Sequence, residues 1–211
     1  MIPKALLFLA FLLLNILVTA QNDSVMYTVG NRLPDGVYVS YEDFRRNAAI
    51  VKEQIISKED KEQLEFVGKV LATATFSYNQ NDILHTLESK RCWGYVQNNT
   101  FYINYKGDFY RIPVFGFISY LVASVTVVNN GFYDPRFGYM GATTTKEIRE
   151  FVFNFYDGVL LECTADRADE LLSRDKTLFE EYKKIPRRRQ KEQMYRYIRK
   201  YNDLHPVYFL K

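Results

Sequence analysis

The segment 92–113, CWGYVQNNTFYINYKGDFYRIP, most limits what this chain can fold into, because short aromatic runs alternate in it with tight-turn residues. Asn98-Asn99 and Gly107-Asp108 both tolerate the positive φ angles that two-residue hairpin turns require. The segment therefore predicts an antiparallel meander of three strands. In this register the first turn places Tyr95 opposite Tyr102.

Strand parity divides this meander into two faces, because successive side chains of a strand point to opposite sides. One face is almost wholly apolar and carries Cys92, Gly94, Val96, Phe101, Ile103, Tyr105, Tyr110, Ile112 and Val114. The other face mixes aromatic and hydrogen-bonding residues, namely Trp93, Tyr95, Gln97, Thr100, Tyr102, Asn104, Lys106, Phe109 and Arg111.

The aromatic and polar face has two open interpretations. Its rings could stack on a carbohydrate or another small ligand while polar groups fix the orientation, which makes it a candidate binding site. Alternatively, the C-terminal helices cover it, as helices cover sheets in α+β folds. The candidate ligand-binding residues are Trp93, Tyr95, Tyr102, Asn104 and Arg111.

Strand and turn signals continue on both sides of the meander. The apolar run 114–128 predicts a long or bent buried strand, and Asp157-Gly158 predicts a hairpin turn between two further strands. The Gly- and Tyr-rich segment 132–145 predicts a long loop. We therefore expect an antiparallel, twisted sheet or partial β-barrel over about 33–165.

The character of the sequence changes near Asp166, after which no strand signal occurs as far as residue 203. Asp166 and Asp175 are predicted helix N-caps, and Pro186 suits the first turn of a last helix. One side of that helix carries Gln190, Met194, Tyr197, Ile198 and Tyr201, and the opposite, basic side carries Arg188, Arg189, Arg196, Arg199 and Lys200. These features predict an α+β fold with helices over 166–203 packed on the sheet and a docked tail at 204–211.

The N-terminal residues 1–20 have the pattern of a secretory signal peptide. Lys4 precedes an apolar run at 5–17, and Val18-Thr19-Ala20 supplies small residues before polar sequence begins at Gln21. The run is shorter than the ~20 apolar residues of a spanning helix, which favours a cleaved signal over a membrane anchor. We expect the mature chain, 21–211, to form a single domain that does not span a membrane.

The two cysteines, Cys92 and Cys163, leave two alternatives open. In an exported protein they could form a disulfide, which would add roughly 4 kcal/mol of stability on a chain-entropy model. Two buried free thiols explain the sequence equally well. Two cysteines are too few for a structural zinc site.

The sequence lacks the common catalytic motifs HExxH, GxSxG and GxxxxGK[ST], and its two histidines, His85 and His205, form no spaced metal-binding set. We therefore expect a non-enzymatic protein without a cofactor, and a hydrolase with an unrecognised carboxylate pair is the enzymatic alternative. The net charge is only +3, so nucleic acid is not an expected partner. The basic side of the last helix instead suits an anionic envelope surface or an acidic partner, unless it is simply a solvated face.

Four segments carry a family resemblance: DGVYVSYEDFRRN (35–47), CWGYVQNNTFYINYKGDFYRI (92–112), EIREFVFNFYDGVLLE (147–162) and MYRYIRKYNDLHPVYF (194–209). In this order they resemble a family of uncharacterised exported proteins of Bacteroidetes bacteria. No catalytic residue or ligand carries over from that family. The resemblance implies a Gram-negative envelope location. We expect a structural or binding module that is periplasmic, outer-membrane-associated or extracellular.

Overall fold

The computed structural model describes residues 24–27 and 32–210, so the predicted signal peptide at 1–20 lies outside the described residues. The strands are β1 (Ser24–Met26), β2 (Gly36–Tyr38), β3 (Ile50–Val51), β4 (Ile55–Ile56), β5 (Thr75–Gln80), β6 (Ile83–Glu88), β7 (Gly94–Gln97), β8 (Thr100–Tyr105), β9 (Asp108–Ile112), β10 (Ile118–Asn129), β11 (Phe132–Asp134), β12 (Gly138–Met140), β13 (Thr143–Asn154), β14 (Val159–Glu162) and β15 (Tyr208–Leu210). The helices are α1 (Tyr41–Arg45), α2 (Phe66–Leu71), α3 (Ala165–Leu172), α4 (Lys176–Lys183) and α5 (Arg187–Leu204).

Two antiparallel sheets dominate the fold. One has five strands in the order β3-β2-β7-β8-β9, and the other has three strands in the order β10-β13-β14. Smaller antiparallel sheets are formed by β4-β5-β6, β11-β12 and β1-β15. The predicted α+β class with antiparallel sheets and C-terminal helices is confirmed, and the sheets do not close into a barrel.

The central core lies between the two main sheets. Val96, Phe101 and Ile103 of the five-stranded sheet pack there with Leu121 and Phe153 of the three-stranded sheet. The C-terminal strand β15 pairs with β1 and contributes to the same core through a buried phenylalanine. The apolar face that strand parity predicts for the meander is therefore the inner face of the five-stranded sheet.

Helices cover the outer face of each main sheet. Helix α2 packs on the five-stranded sheet, and α3 to α5 pack on the three-stranded sheet. The predicted apolar side of α5 is buried in full. Asp175 caps α4 as predicted, whereas Thr164 rather than Asp166 caps α3, because the Thr164 hydroxyl accepts a hydrogen bond from Arg167 N at 3.3 Å.

The register of the meander agrees with prediction at its first turn and differs at its second. Tyr95 pairs with Tyr102 across the Asn98-Asn99 turn, where both asparagines have positive φ. The second turn is formed by Lys106-Gly107, with φ of 56° and 92°, rather than by Gly107-Asp108. A turn at Gly107-Asp108 would pair Ile103 with Ile112, whereas Ile103 pairs with Tyr110 in the structure, a shift of two residues. An even shift leaves each side chain on its predicted face.

The segment 132–145 is not the loop that its composition predicts. β10 and β13 pair continuously from Ile118↔Asn154 to Asn129↔Thr143, and the short hairpin β11-β12 lies between them. The Asp134 side chain stabilises the turn of this hairpin, because its Oδ1 accepts hydrogen bonds from Arg136 N at 2.7 Å and Phe137 N at 3.2 Å. Pro135 lies inside the turn, where it interrupts no strand pairing.

Candidate functional site

The predicted aromatic and polar face of the meander is covered by a helix, although not by the last one. Tyr95 stacks on Tyr102 with ring centroids 4.4 Å apart, and Tyr95 is only 7% exposed. Helix α2 lies over this pair and is fixed to the sheet where Gly68 N donates to Gln97 Oε1 at 2.8 Å. The Gly68 position also comes close to the Tyr95 hydroxyl, which leaves little room for a side chain there. Tyr95 is therefore closed to a stacking ligand, and one face of the half-buried Tyr102 ring is occupied by Tyr95.

Trp93 does not lie on this face, so the prediction that strand parity groups it with Tyr95 and Tyr102 is wrong. Strand β7 begins only at Gly94, and the preceding backbone forms a 3₁₀ turn at Ser89–Arg91. Alternation therefore does not extend back to residues 92 and 93. The half-buried Trp93 packs against the central core, with its ring centroid 4.5 Å from that of Phe44, whereas Cys92 joins the cluster beneath α2.

Asn104 stabilises a turn in this structure. Its Nδ2 donates to the carbonyl oxygens of Lys90 and Cys92, each at 2.8 Å, and its Oδ1 accepts from Gly107 N at 2.9 Å. Arg111 is exposed and lines a separate groove of about 450 Å³ together with Arg199 of α5. The five predicted ligand-binding residues therefore do not converge on one surface.

Both cysteines are free thiols, so the disulfide alternative does not hold in this structure. Cys92 is buried beneath α2, whereas Cys163 lies 3.4 Å from the Met194 sulfur on the opposite side of the molecule. Burial raises the pKa of Cys92 to about 11 and that of Cys163 to about 12. Both thiols are protonated at neutral pH, and a protonated thiol is a poor nucleophile.

The basic side of α5 is exposed and largely unpaired. Within residues 24–27 and 32–210, no ion pair reaches Arg188, Arg189, Arg196 or Arg199. Arg199 stacks over the Tyr195 ring at 4.8 Å. Lys200 differs from the four arginines, because it pairs with Glu181 at 2.6 Å and thereby holds the pKa of that carboxyl below its usual value.

The most exposed apolar surface lies in a β-arm that comprises residues 128–146, in which no residue is buried. β14 pairs only with Phe151–Asn154 of β13, so the arm continues past the sheet as a two-stranded ribbon. Its large exposed side chains are Val128, Phe132, Tyr133, Phe137, Tyr139 and Met140. Monomeric soluble proteins seldom expose so many large apolar groups together unless the patch binds something.

The end of the arm is an ordered hairpin, formed by β11 and β12 and called the apical hairpin below. Phe132 pairs with Met140, and Tyr133 pairs with Tyr139. Phe137 lies in the turn between them and is 78% exposed. An added Cβ at Gly131 would clash with the Met140 carbonyl oxygen, so the backbones approach closely at the base of the hairpin.

Sequence reasoning missed the apical hairpin because it treated glycine, proline and tyrosine together as loop signals. The motif FYDPRFGYM does contain a usable signal. An aspartate before proline starts a turn, glycine permits the positive φ found at Gly138, and paired aromatic residues flank both. In the part of the chain that the structure describes, no cluster of His, Cys, Asp and Glu could hold a metal ion. No helix there is long and apolar enough to span a membrane.

Comparison with known proteins places the chain in a family. No curated protein and no solved structure matches it. A family model described as "Family of unknown function (DUF6563)" matches residues 36–205. The matched region runs from the start of β2 through the end of α5 and therefore includes both main sheets, the arm and the basic helix. The chain belongs to this family of unknown function, DUF6563.

Proposed function

We propose that this protein is a non-enzymatic binding module of the bacterial envelope, exported by its N-terminal signal peptide, and that the arm contacts its partner. The observation that carries the proposal is the exposure of three rings at the apical hairpin. Phe137, Tyr133 and Tyr139 are 78%, 72% and 71% exposed. Most other aromatic residues of the described chain pack against the three buried clusters.

The residue types of the apical hairpin are those that binding surfaces use. Tyr, Phe, Met and Arg are enriched in the buried centres of protein interfaces, and aromatic residues bury about 150–250 Å² each. The hairpin offers four such rings, a methionine and Arg136 within nine consecutive positions. Leaving these groups in water costs free energy that a partner would recover.

The arm is also built to hold these residues in fixed positions. The inner side of β10 is anchored in the central core by Leu121, Ala123 and Val125. Tyr110 of β9 adds a hydrogen bond from its hydroxyl to the Ser124 carbonyl oxygen at 2.8 Å. Beyond these anchors the arm is ordered by strand pairing, and an ordered ribbon loses less conformational entropy on binding than a disordered segment would.

The non-enzymatic part of the proposal rests on the chemistry of the described side chains. The two thiols are held protonated by burial, and both are committed to packing clusters. His205 is engaged with Asp175 at 2.9 Å, and His85 stacks on Tyr78 with ring centroids 5.1 Å apart. These groups serve local structure, and they are not gathered around one cleft.

Site-specific photo-crosslinking in cells tests the role of the arm. A photoreactive phenylalanine analogue at Phe137 is expected to give an adduct with a protein or a lipid. The same analogue at Tyr156 is the matched control, because Tyr156 is 70% exposed but lies in the β13–β14 turn, outside the arm. The proposal fails if Phe137 gives no adduct above the Tyr156 background.

Export has its own test, which does not depend on the arm. Cleavage of the signal should leave a mature chain that begins at Gln21 and is recovered in an envelope or extracellular fraction. N-terminal sequencing of protein purified from cells checks this directly. Recovery of cytoplasmic protein that still begins at Met1 would contradict the envelope assignment.

A further inference from the structure

We propose that the partner of the arm is an anionic lipid surface, into which the apical hairpin inserts while the arginines of α5 face the lipid phosphates. This inference rests on the proposed binding role of the arm. It goes further because it identifies the chemistry of the partner and adds α5 to the contact surface.

The two faces of the apical hairpin distinguish a lipid surface from a protein surface. Strand parity directs the pair Phe132 and Met140 to one face and the pair Tyr133 and Tyr139 to the other. Phe132 is 62% exposed and Met140 is 46% exposed, so neither face is covered by the protein. A folded partner would contact one face of such a ribbon. A membrane interface surrounds an inserted hairpin on all sides, so that both pairs leave water together.

The composition of the hairpin suits the boundary between lipid headgroups and acyl chains. Tyrosine and other amphipathic aromatic residues concentrate at this depth in membrane proteins, because one end of the ring is apolar and the other bonds to water or headgroups. The hairpin carries only one acidic and one basic residue, Asp134 and Arg136. Asp134 already accepts two backbone hydrogen bonds within the turn, which lowers the cost of bringing it near lipid.

Helix α5 supplies the positive charge that attracts an anionic surface. Arg188, Arg189 and Arg196 are exposed, and no ion pair among the described residues neutralises them. The guanidinium group matches phosphate geometry with two parallel hydrogen bonds. Each basic residue near an anionic membrane increases the binding constant about fivefold at physiological salt.

The contacts of α5 place its arginine-rich half on the side of the arm. Asn202 hydrogen-bonds with the backbone of Ile118 at 2.9 Å, while Tyr195 contacts Tyr120 at 5.6 Å between ring centroids. The N-terminal direction of α5 therefore corresponds to the C-terminal direction of β10, which leads to the arm. Beyond this contact the outer face of the ribbon is uncovered, and Ile148 is 80% exposed.

Vesicle co-sedimentation tests the inference with the mature chain. Vesicles of phosphatidylcholine with about one third phosphatidylglycerol should bind the protein, and vesicles of phosphatidylcholine alone should bind it at least tenfold more weakly. Raising the salt concentration should weaken binding to the anionic vesicles, because it screens the arginines. Absence of binding to anionic vesicles at low salt overturns the inference.

Three variants test whether vesicle binding depends on the α5 arginines and on the apical hairpin. Arg188→Gln with Arg189→Gln should weaken binding to anionic vesicles about thirtyfold, since two charges are removed. Phe137→Ser with Tyr139→Ser should weaken it at least tenfold. Tyr156→Ser, which removes an equally exposed ring outside the arm, should leave it unchanged. All these positions are exposed, so an unchanged melting temperature serves as the folding control. Full binding by the Phe137 and Tyr139 double variant would overturn the inference.

Insertion has a direct spectroscopic signature. Phe137→Trp gives the chain a second indole, at the apical hairpin, while Trp93, the single natural tryptophan, packs against the central core and supplies a constant background. Lipids brominated in the acyl chain should quench the new indole and shift its emission to the blue. Quenching equal to that of the unsubstituted protein would contradict insertion.

The outcomes separate this inference from the proposed function. A protein adduct at Phe137 in cells, without vesicle binding, overturns the lipid surface and supports the arm as a binding element. Vesicle binding that depends on both elements supports both proposals. If Phe137 gives no adduct in cells and the protein does not bind vesicles, both proposals are overturned.

Discussion

Phe44 of α1 is the residue whose removal should disturb the central core most. Its side chain is fully buried, and its ring lies 4.5 Å from that of Trp93, 5.1 Å from Tyr38 and 5.3 Å from Phe209. These neighbours belong to three separate parts of the chain. Tyr38 is held by β2 and Phe209 by β15, so the space left by Phe44→Ala cannot readily close.

The expected loss of stability in Phe44→Ala follows from this packing. Replacing a buried phenylalanine with alanine lowers the free energy of unfolding by about 3–5 kcal/mol, and sites that cannot collapse fall at the upper end of this range. We therefore expect Phe44→Ala to cost about 4–5 kcal/mol. That is a large part of the 5–15 kcal/mol by which typical domains are stable.

Urea denaturation followed by tryptophan fluorescence measures this cost. Trp93 lies against Phe44 and reports on the core directly. Phe137→Ala is the matched control, because it removes the same ring from a position that is 78% exposed, and it should change stability by less than about 0.5 kcal/mol. A cost below about 2 kcal/mol for Phe44→Ala, or similar costs for both variants, would refute the reasoning about burial.

Three further predictions concern ionisation, thiols and glycine. The pKa of Asp175 is lowered chiefly by the hydrogen bond from Leu178 N, so its stabilising effect should be present at neutral pH and be lost as pH falls through that depressed pKa. Between pH 7 and pH 2 the melting temperature of Asp175→Asn, which keeps an oxygen acceptor, should fall less than that of the unsubstituted protein. An equal fall would show that ionised Asp175 does not stabilise the fold. Ellman titration of denatured, unreduced protein should find two thiols, and native Cys92 and Cys163 should react slowly at pH 8; finding no thiol would restore the disulfide. Gly158→Ala should destabilise the protein more than Gly138→Ala, because both glycines have positive φ but only Gly158 abuts a ring of α1. In urea denaturation the Gly138 variant should lose only about 1 kcal/mol of stability. Equal losses for the two variants would contradict the steric argument.

Several local features of the fold could be predicted from sequence because they depend on spacing along the chain. The side of α5 that carries Met194, Tyr197 and Tyr201 is buried as its helical periodicity predicts. The asparagine turn of the meander and the hairpin around Asp157-Gly158 also occur, although the latter connection spans residues 155–158. Backbone geometry sets these periods, so a short window contains the necessary information.

Other features could not be read from short windows. Trp93 and Tyr95 are two residues apart, yet they lie on opposite sides of a sheet, because the strand that would relate them begins between them at Gly94. The second turn moved from Gly107-Asp108 to Lys106-Gly107, although both pairs suit a hairpin. In the observed turn the Asn104 side chain bonds both to Gly107 N and to the Lys90 and Cys92 carbonyl oxygens of a distant segment.

The candidate site likewise combines features that local sequence predicts with features that depend on tertiary structure. Sequence alone identified the basic side of α5 and the aromatic richness of the chain, because both are matters of composition and period. Only the tertiary structure decided that α2 covers Tyr95 and that the aromatic residues at 132–140 stay exposed. The physical reason is that exposure depends on which distant segment packs on a surface. The chain can satisfy the same local pattern with that surface covered or open.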